Sequence, residues 1–128
     1  MITTRPKSLA EVARRILEGS EWRYELADFL DEFYANPSSE AVADEPDSLA
    51  ATGKEGQRRD AFIAATAEHL GRKYQFPLQP WVYQPSRYLD HPSFALSTRE
   101  GKLFLLKDSP AAFKSRNLFV SGNALERV

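Results

Sequence analysis

The sequence predicts a mainly α fold: one compact domain, residues 1–128, built from three main helices, a proline- and aromatic-rich extended segment, and short C-terminal elements. Three observations lead there. Apolar residues recur at helical spacing in three separate stretches. Four of the eight prolines fall between residues 76 and 92, where they interrupt any regular element. A chain of 128 residues supports one core and leaves little room for a second. Surface scaling gives roughly 6,900 Å² folded against about 21,000 Å² unfolded, so about two-thirds of the chain surface is buried without help from a disulfide or a metal.

The first helix is predicted from Leu9 to Glu18. Ser8 and Glu11 have capping-box spacing. Leu9, Val12, Ala13, Ile16 and Leu17 form the apolar stripe, and Gly19 is the stop. The second helix runs from Glu21 to Ala35 behind a Ser20 cap. Trp22, Leu26, Phe29, Leu30 and Phe33 are its core face, and Asn36-Pro37 ends it. If Trp22 is core, Trp22→Ala costs about 3–5 kcal/mol. Residues 37–55 read as a mobile loop with short helical turns near Glu40–Ala43 and Asp47–Ala51, because acidic groups dominate and large apolar ones are few. A third helix spans Gln57 to Tyr74, with Ala61, Phe62, Ala65, Thr66, His69 and Leu70 on one side. Its alanines permit close approach of a neighbour.

From Phe76 to Pro92 the prolines alternate with Trp81, Tyr83 and Tyr88, which predicts an extended segment packed on the body. Lys102–Lys107 is compatible with a buried strand or a helical turn, since periodicity does not discriminate over so few residues. Ser109-Pro110 reads as an N-cap and first helical position for a short helix over residues 111–116.

Composition narrows the function classes. The absence of cysteine excludes disulfide frameworks, thiolate metal sites and cysteine nucleophiles. The first twenty residues hold Arg5, Lys7, Arg14 and Arg15 and no apolar run typical of a secretory signal. No stretch approaches about 20 apolar residues, so no membrane association is expected and a cytoplasmic location is the default. Net charge is −1 but unevenly spread: residues 1–20 carry +2, residues 21–71 carry −8, and residues 72–128 carry +5. The zones either neutralise one another in the fold or meet oppositely charged partners.

No catalytic constellation stands out. His69 has Arg72 and Lys73 where a helical metal site needs a second ligand, and His91 precedes a proline in a turn. No glycine-rich phosphate loop or nucleophile elbow occurs, and Gly53–Gly56 reads as a turn, so no cofactor is expected. Glu25, Asp28, Asp31 and Glu32 read as a solvated acidic face or a docking surface for a basic partner. Arg87, Arg99, Lys102, Lys107, Lys114 and Arg116 lie among Tyr88, Phe94, Phe104, Phe113 and Phe119. Cations with aromatics suit single-stranded nucleic acid, but core packing with a basic rim is preferred at a pI of 6.1.

Residues 81–94, with Trp81-Val82, Pro85-Ser86-Arg87-Tyr88-Leu89 and His91-Pro92-Ser93-Phe94, precede the more specific run Ser109-Pro110, Phe113, Arg116-Asn117 and Phe119-Val120. With Ala27–Tyr34, Ala64–Leu70 and Asn123-Ala124-Leu125, this pattern resembles a family of small uncharacterised bacterial proteins. The resemblance implies a neighbouring nucleotidyltransferase-like protein of toxin–antitoxin type, and hence an antitoxin-like role for this chain. It carries no catalytic residues across. Arg116 and Asn117 match its polar pair, and an arginine bridging a carboxylate such as Glu68 or Asp90 and an asparagine in a turn serve the fold equally well.

The leading expectation is therefore a protein-interaction module, with Glu25, Asp28, Asp31, Glu32, Arg87, Arg116 and Asn117 as the partner surface. Reversing two of the four acidic charges should then weaken partner binding and spare the fold. Behind it stand a small enzyme built around Glu68, His69, Arg116 and Asn117, and a nucleic-acid-binding regulator with salt-sensitive affinity.

Overall fold

The computed structural model describes residues 4–127 and is mainly helical. Helix α1 (Leu9–Leu17) starts as its sequence requires: the Ser8 hydroxyl accepts the Glu11 N–H at 3.1 Å, while Glu11 accepts the Lys7 N–H at 2.8 Å. Gly19 closes it at φ +105°, the left-handed conformation that glycine adopts without steric cost. Leu17, expected on the buried stripe, is the last residue of the helix and is 46% exposed.

Helix α2 (Trp22–Ala35) buries Leu26, Phe29, Leu30 and Phe33 as expected. Glu21 occupies the cap position in place of Ser20, and its side chain makes no capping bond. Trp22 is half-buried: its ring meets Phe62 edge-on at 5.5 Å and carries Arg59 on its other flank at 5.6 Å.

Helix α3 (Lys54–Lys73) is the axle of the fold. It buries Ala61, Ile63, Ala64, Ala65, Thr66, Ala67 and Leu70, so more than one side is covered. Small side chains let neighbours approach from several directions at once. The helix begins earlier than the sequence suggests. Gly53, at φ +104°, sits before it, and Lys54–Gly56 form its first turn, so only Gly53 keeps the turn role expected of Gly53–Gly56.

Residues 37–53 are packed, not free. They form 3₁₀ turns at Ser39–Val42 and Ala50–Thr52 and bury Ala41, Val42, Pro46 and Leu49. The proline–aromatic segment also departs from an extended path. It coils into 3₁₀ turns at Pro80–Tyr83 and Pro85–Arg87, each opened by a proline at the position whose N–H a helix leaves unused.

Strand β1 (Ser93–Phe94) pairs in parallel with β2 (Leu118–Phe119), and the Phe94 and Phe119 rings stack at 4.8 Å. Between them lie α4 (Arg99–Asp108) and α5 (Ala111–Lys114). Lys102–Lys107 is thus helical, inside α4, whose first turn is capped by Thr98 accepting the Gly101 N–H at 3.0 Å. Ser109 does not cap α5. Its buried hydroxyl donates to the Leu105 carbonyl at 2.6 Å and accepts the Val120 N–H at 2.9 Å, fastening the end of α4 to the chain after β2. No described helix is long and apolar enough to cross a membrane.

Candidate functional site

Two arginines proposed from sequence as partner surface are core groups. Arg116 follows α5 and is fully buried. Its Nη1 donates to Glu68 Oε1 at 2.6 Å and to the Ala112 carbonyl at 2.8 Å, and Nη2 donates to the Val82 carbonyl at 2.8 Å. The guanidinium lies 4.6 Å from the Tyr88 ring centre. Glu68, reaching up from α3, also accepts Arg72 Nε at 2.9 Å and the Tyr83 hydroxyl at 3.3 Å. Of the two carboxylates suggested by sequence, Arg116 thus bridges to Glu68 and not Asp90. Burial pushes the Glu68 carboxyl upward, but hydrogen bonds and charge from Arg116 and Arg72 outweigh it and hold the pKa below its ordinary value.

Arg87 is 3% exposed. Its Nη2 donates to the Pro46 carbonyl at 2.6 Å, and its Nη1 lies 3.5 Å from Asp60 Oδ1. Asp60 accepts the Leu49 N–H at 2.8 Å and the Ser48 hydroxyl at 2.7 Å. One buried ion pair thereby ties residues 46–49 to α3 and the proline segment. Desolvation lowers the Arg87 pKa, partly opposed by the charges of Asp60 and Glu45. Stacking on Trp81 at 5.1 Å fills the remaining face of the guanidinium.

The acidic helix divides in the same way. Glu25 is buried, 3.5 Å from Arg15 of α1, so it belongs to the α1–α2 contact and not to a docking surface. Asp31 binds Arg127 at 2.8 Å, and that hydrogen bond holds its carboxyl below the ordinary value. Asp28 and Glu32 are partly exposed and have no ion-pair partner among the described residues. Asn117 occupies a turn at φ +64°, and its Nδ2 donates to the Leu89 carbonyl at 2.8 Å. It therefore sets the entry to β2, with its amide nitrogen committed to the Leu89 carbonyl.

Of the residues considered for an enzyme site, the fold brings Glu68 together with Arg116 and sets His69 beside them, but Asn117 bonds elsewhere. Glu68 and His69 edge an open depression with Arg72, Lys73 and Ser115, while Arg116 is fully buried and Asn117 bonds the Leu89 carbonyl. Burial and the nearby Lys73 charge lower the His69 pKa. The Glu68 carboxylate is saturated by cations, which suits it to hold structure and not to exchange protons.

The surface that sequence reasoning missed is on α4. Four of the seven large apolar side chains exposed among the described residues fall between 96 and 106: Leu96 at 48%, Leu103 and Phe104 at 53%, and Leu106 at 43%. Leu105 is the only buried residue of the helix. Phe104, which the sequence places with the core aromatics, is exposed, whereas Phe113 and Phe119 are buried. A signal was present: Glu100, Leu103, Phe104 and Lys107 stand at i, i+3, i+4 and i+7, behind Thr98 as a cap.

Comparison with protein-family models, curated proteins and solved structures gives no match for this chain.

Proposed function

We propose that the chain works as a protein-interaction module that binds protein through the outward face of α4. The supporting observation is the exposure of Leu103, Phe104 and Leu106 on α4, with Leu96 exposed just before it. Isolated exposed leucines are ordinary, but neighbouring ones on one helix keep apolar area in water that a partner would remove. Flanking Arg99, Lys102, Glu100 and Lys107 supply the polar rim such patches carry. A finer version follows from the resemblance alone: the chain is the antitoxin-like half of a two-protein system, and Asp28 and Glu32 of α2 are the acids left to meet a nucleotidyltransferase-like partner.

The test is purification of a tagged chain from the cells that encode it, with cross-linking and mass spectrometry. A stoichiometric protein, lost when Leu103→Glu and Phe104→Glu are introduced together, is the expected result. A second protein of nucleotidyltransferase type, weakened by Asp28→Lys with Glu32→Lys, would support the finer version. A wild-type chain that cross-links neither to another protein nor to a second copy of itself defeats the proposal and moves attention to the Glu68–Lys73 depression.

A further inference from the structure

We infer that the occupant of the α4 face is α4 of a second copy of this chain, packed antiparallel about a two-fold axis between Leu103 and Phe104. The inference rests on the interaction-module reading and gives it a specific partner. It comes from the charge pattern of the stripe. Glu100, Leu103, Phe104 and Lys107 share one face at i, i+3, i+4 and i+7, all four are exposed, and Leu105 points into the body from the other side. Under a two-fold axis at the centre of that stripe, Leu103 lies against the second copy's Phe104. Glu100 lies against the second copy's Lys107, and the same contacts recur by symmetry. Apolar meets apolar and each charge meets its opposite, with no substitution needed.

The state of the two charged groups in the single chain agrees. Among the described residues neither Glu100 nor Lys107 takes part in an ion pair or side-chain hydrogen bond. They cannot satisfy each other within one helix, since seven residues of rise separate them by about 10 Å. Lys102, which points elsewhere, is already placed over the Phe94 ring at 5.4 Å. A parallel arrangement would bring Glu100 to Glu100 and Lys107 to Lys107, so like charges select the antiparallel one. One ten-residue helix pair buries less than a standard interface of about 1,200–2,000 Å², so the dimer is weak and concentration-dependent.

Sedimentation equilibrium of the purified chain from about 1 µM to about 1 mM tests this, with dissociation expected at about 10–500 µM. Glu100→Lys and Lys107→Glu should each weaken association about tenfold or more, because each sets like charges opposite one another. The double swap, Glu100→Lys with Lys107→Glu, should restore it. A mixture of the two single variants should form a heterodimer tighter than either homodimer. Both substitutions are at exposed positions, and circular dichroism would verify that the fold is unchanged. A monomer across the whole range, or a dimer indifferent to the swaps, overturns the inference. Neither result touches the interaction-module reading, which stands or falls on whether Leu103→Glu with Phe104→Glu releases a protein captured in cells.

Discussion

Glu68 and Arg116 stand 48 residues apart in the chain and meet at 2.6 Å, with the arginine wholly shut off from solvent. Their contact joins the axle helix α3 to the segment that leads from α5 into β2. Val82 and Ala112 carbonyls take further arginine protons, so the one cation organises three separated stretches of chain. Arg116 Nε has no acceptor, and it is the one buried side-chain polar atom among the described residues left in that state.

Removing the carboxylate should therefore be costly. Glu68→Ala strands a buried guanidinium and is expected to lower stability by about 3–5 kcal/mol in urea unfolding. A loss under about 1 kcal/mol would mean that water reaches Arg116 and that the pair is not a structural centre.

Three groups contribute to the acid side of stability: His69, Glu68 and, through its bond to Arg127, Asp31. The folded pKa of His69 lies below 6.5, through burial first and the Lys73 charge second. The unfolded chain therefore takes up this proton first as pH falls. Stability declines below about pH 6.5, and this loss levels off beneath the folded pKa. Glu68 acts lower, since its folded pKa is depressed from 4.5. Its contribution is complete above that value and disappears as pH drops through the folded one. Urea midpoints against pH should lose the upper limb in His69→Gln and show a smaller lower limb in Glu68→Gln, the remainder belonging to Asp31. Both limbs at full size in both variants would contradict these assignments.

Gly56→Ala should destabilise, against the usual preference of about 1 kcal/mol for alanine inside a helix. A Cβ built at Gly56 collides with the Leu49 backbone carbonyl, which cannot swing aside as a side chain does. The displaced segment includes the Leu49 N–H bound to Asp60, so a loss of at least about 1–2 kcal/mol is expected by thermal or urea unfolding. A stabilised variant would show that residues 46–52 are not held against α3.

Trp22 and Phe29 provide an internal comparison. Phe29 is fully buried and its truncation to alanine should cost about 3–5 kcal/mol, whereas half-buried Trp22 should cost about 1–3 kcal/mol despite its larger ring. Equal losses in parallel urea titrations would place Trp22 in the core after all.

The acid-reversal experiment changes with the structure. Glu25 must be left alone, because a lysine there would face Arg15 inside the α1–α2 contact. Asp28→Lys with Glu32→Lys keeps the fold within about 1 kcal/mol by thermal unfolding. A larger loss would mean that these two acids are structural as well.

What local sequence determined is what local physics sets. The Ser8 cap, the Gly19 stop, the apolar face of α2 and the mainly helical class depend on contacts within a turn or two, and all are present. The bounds of α3 and the helical state of α4 were harder, since Gly53 and Gly56 read alike until the left-handed φ of one and the tight packing of the other are seen. Charge was least legible. Arg87, Arg116 and Glu25 look like any solvated ion in the chain, and only their partners, from 10 to 48 residues away, make burial tolerable. Desolvating one such ion alone costs several kcal/mol, so no residue can be assigned to core or surface until its counter-ion is placed. The same reasoning applies in reverse to Leu103 and Phe104: their hydrophobicity came from the sequence, but their exposure was decided by which face of α4 the tertiary structure turned inward.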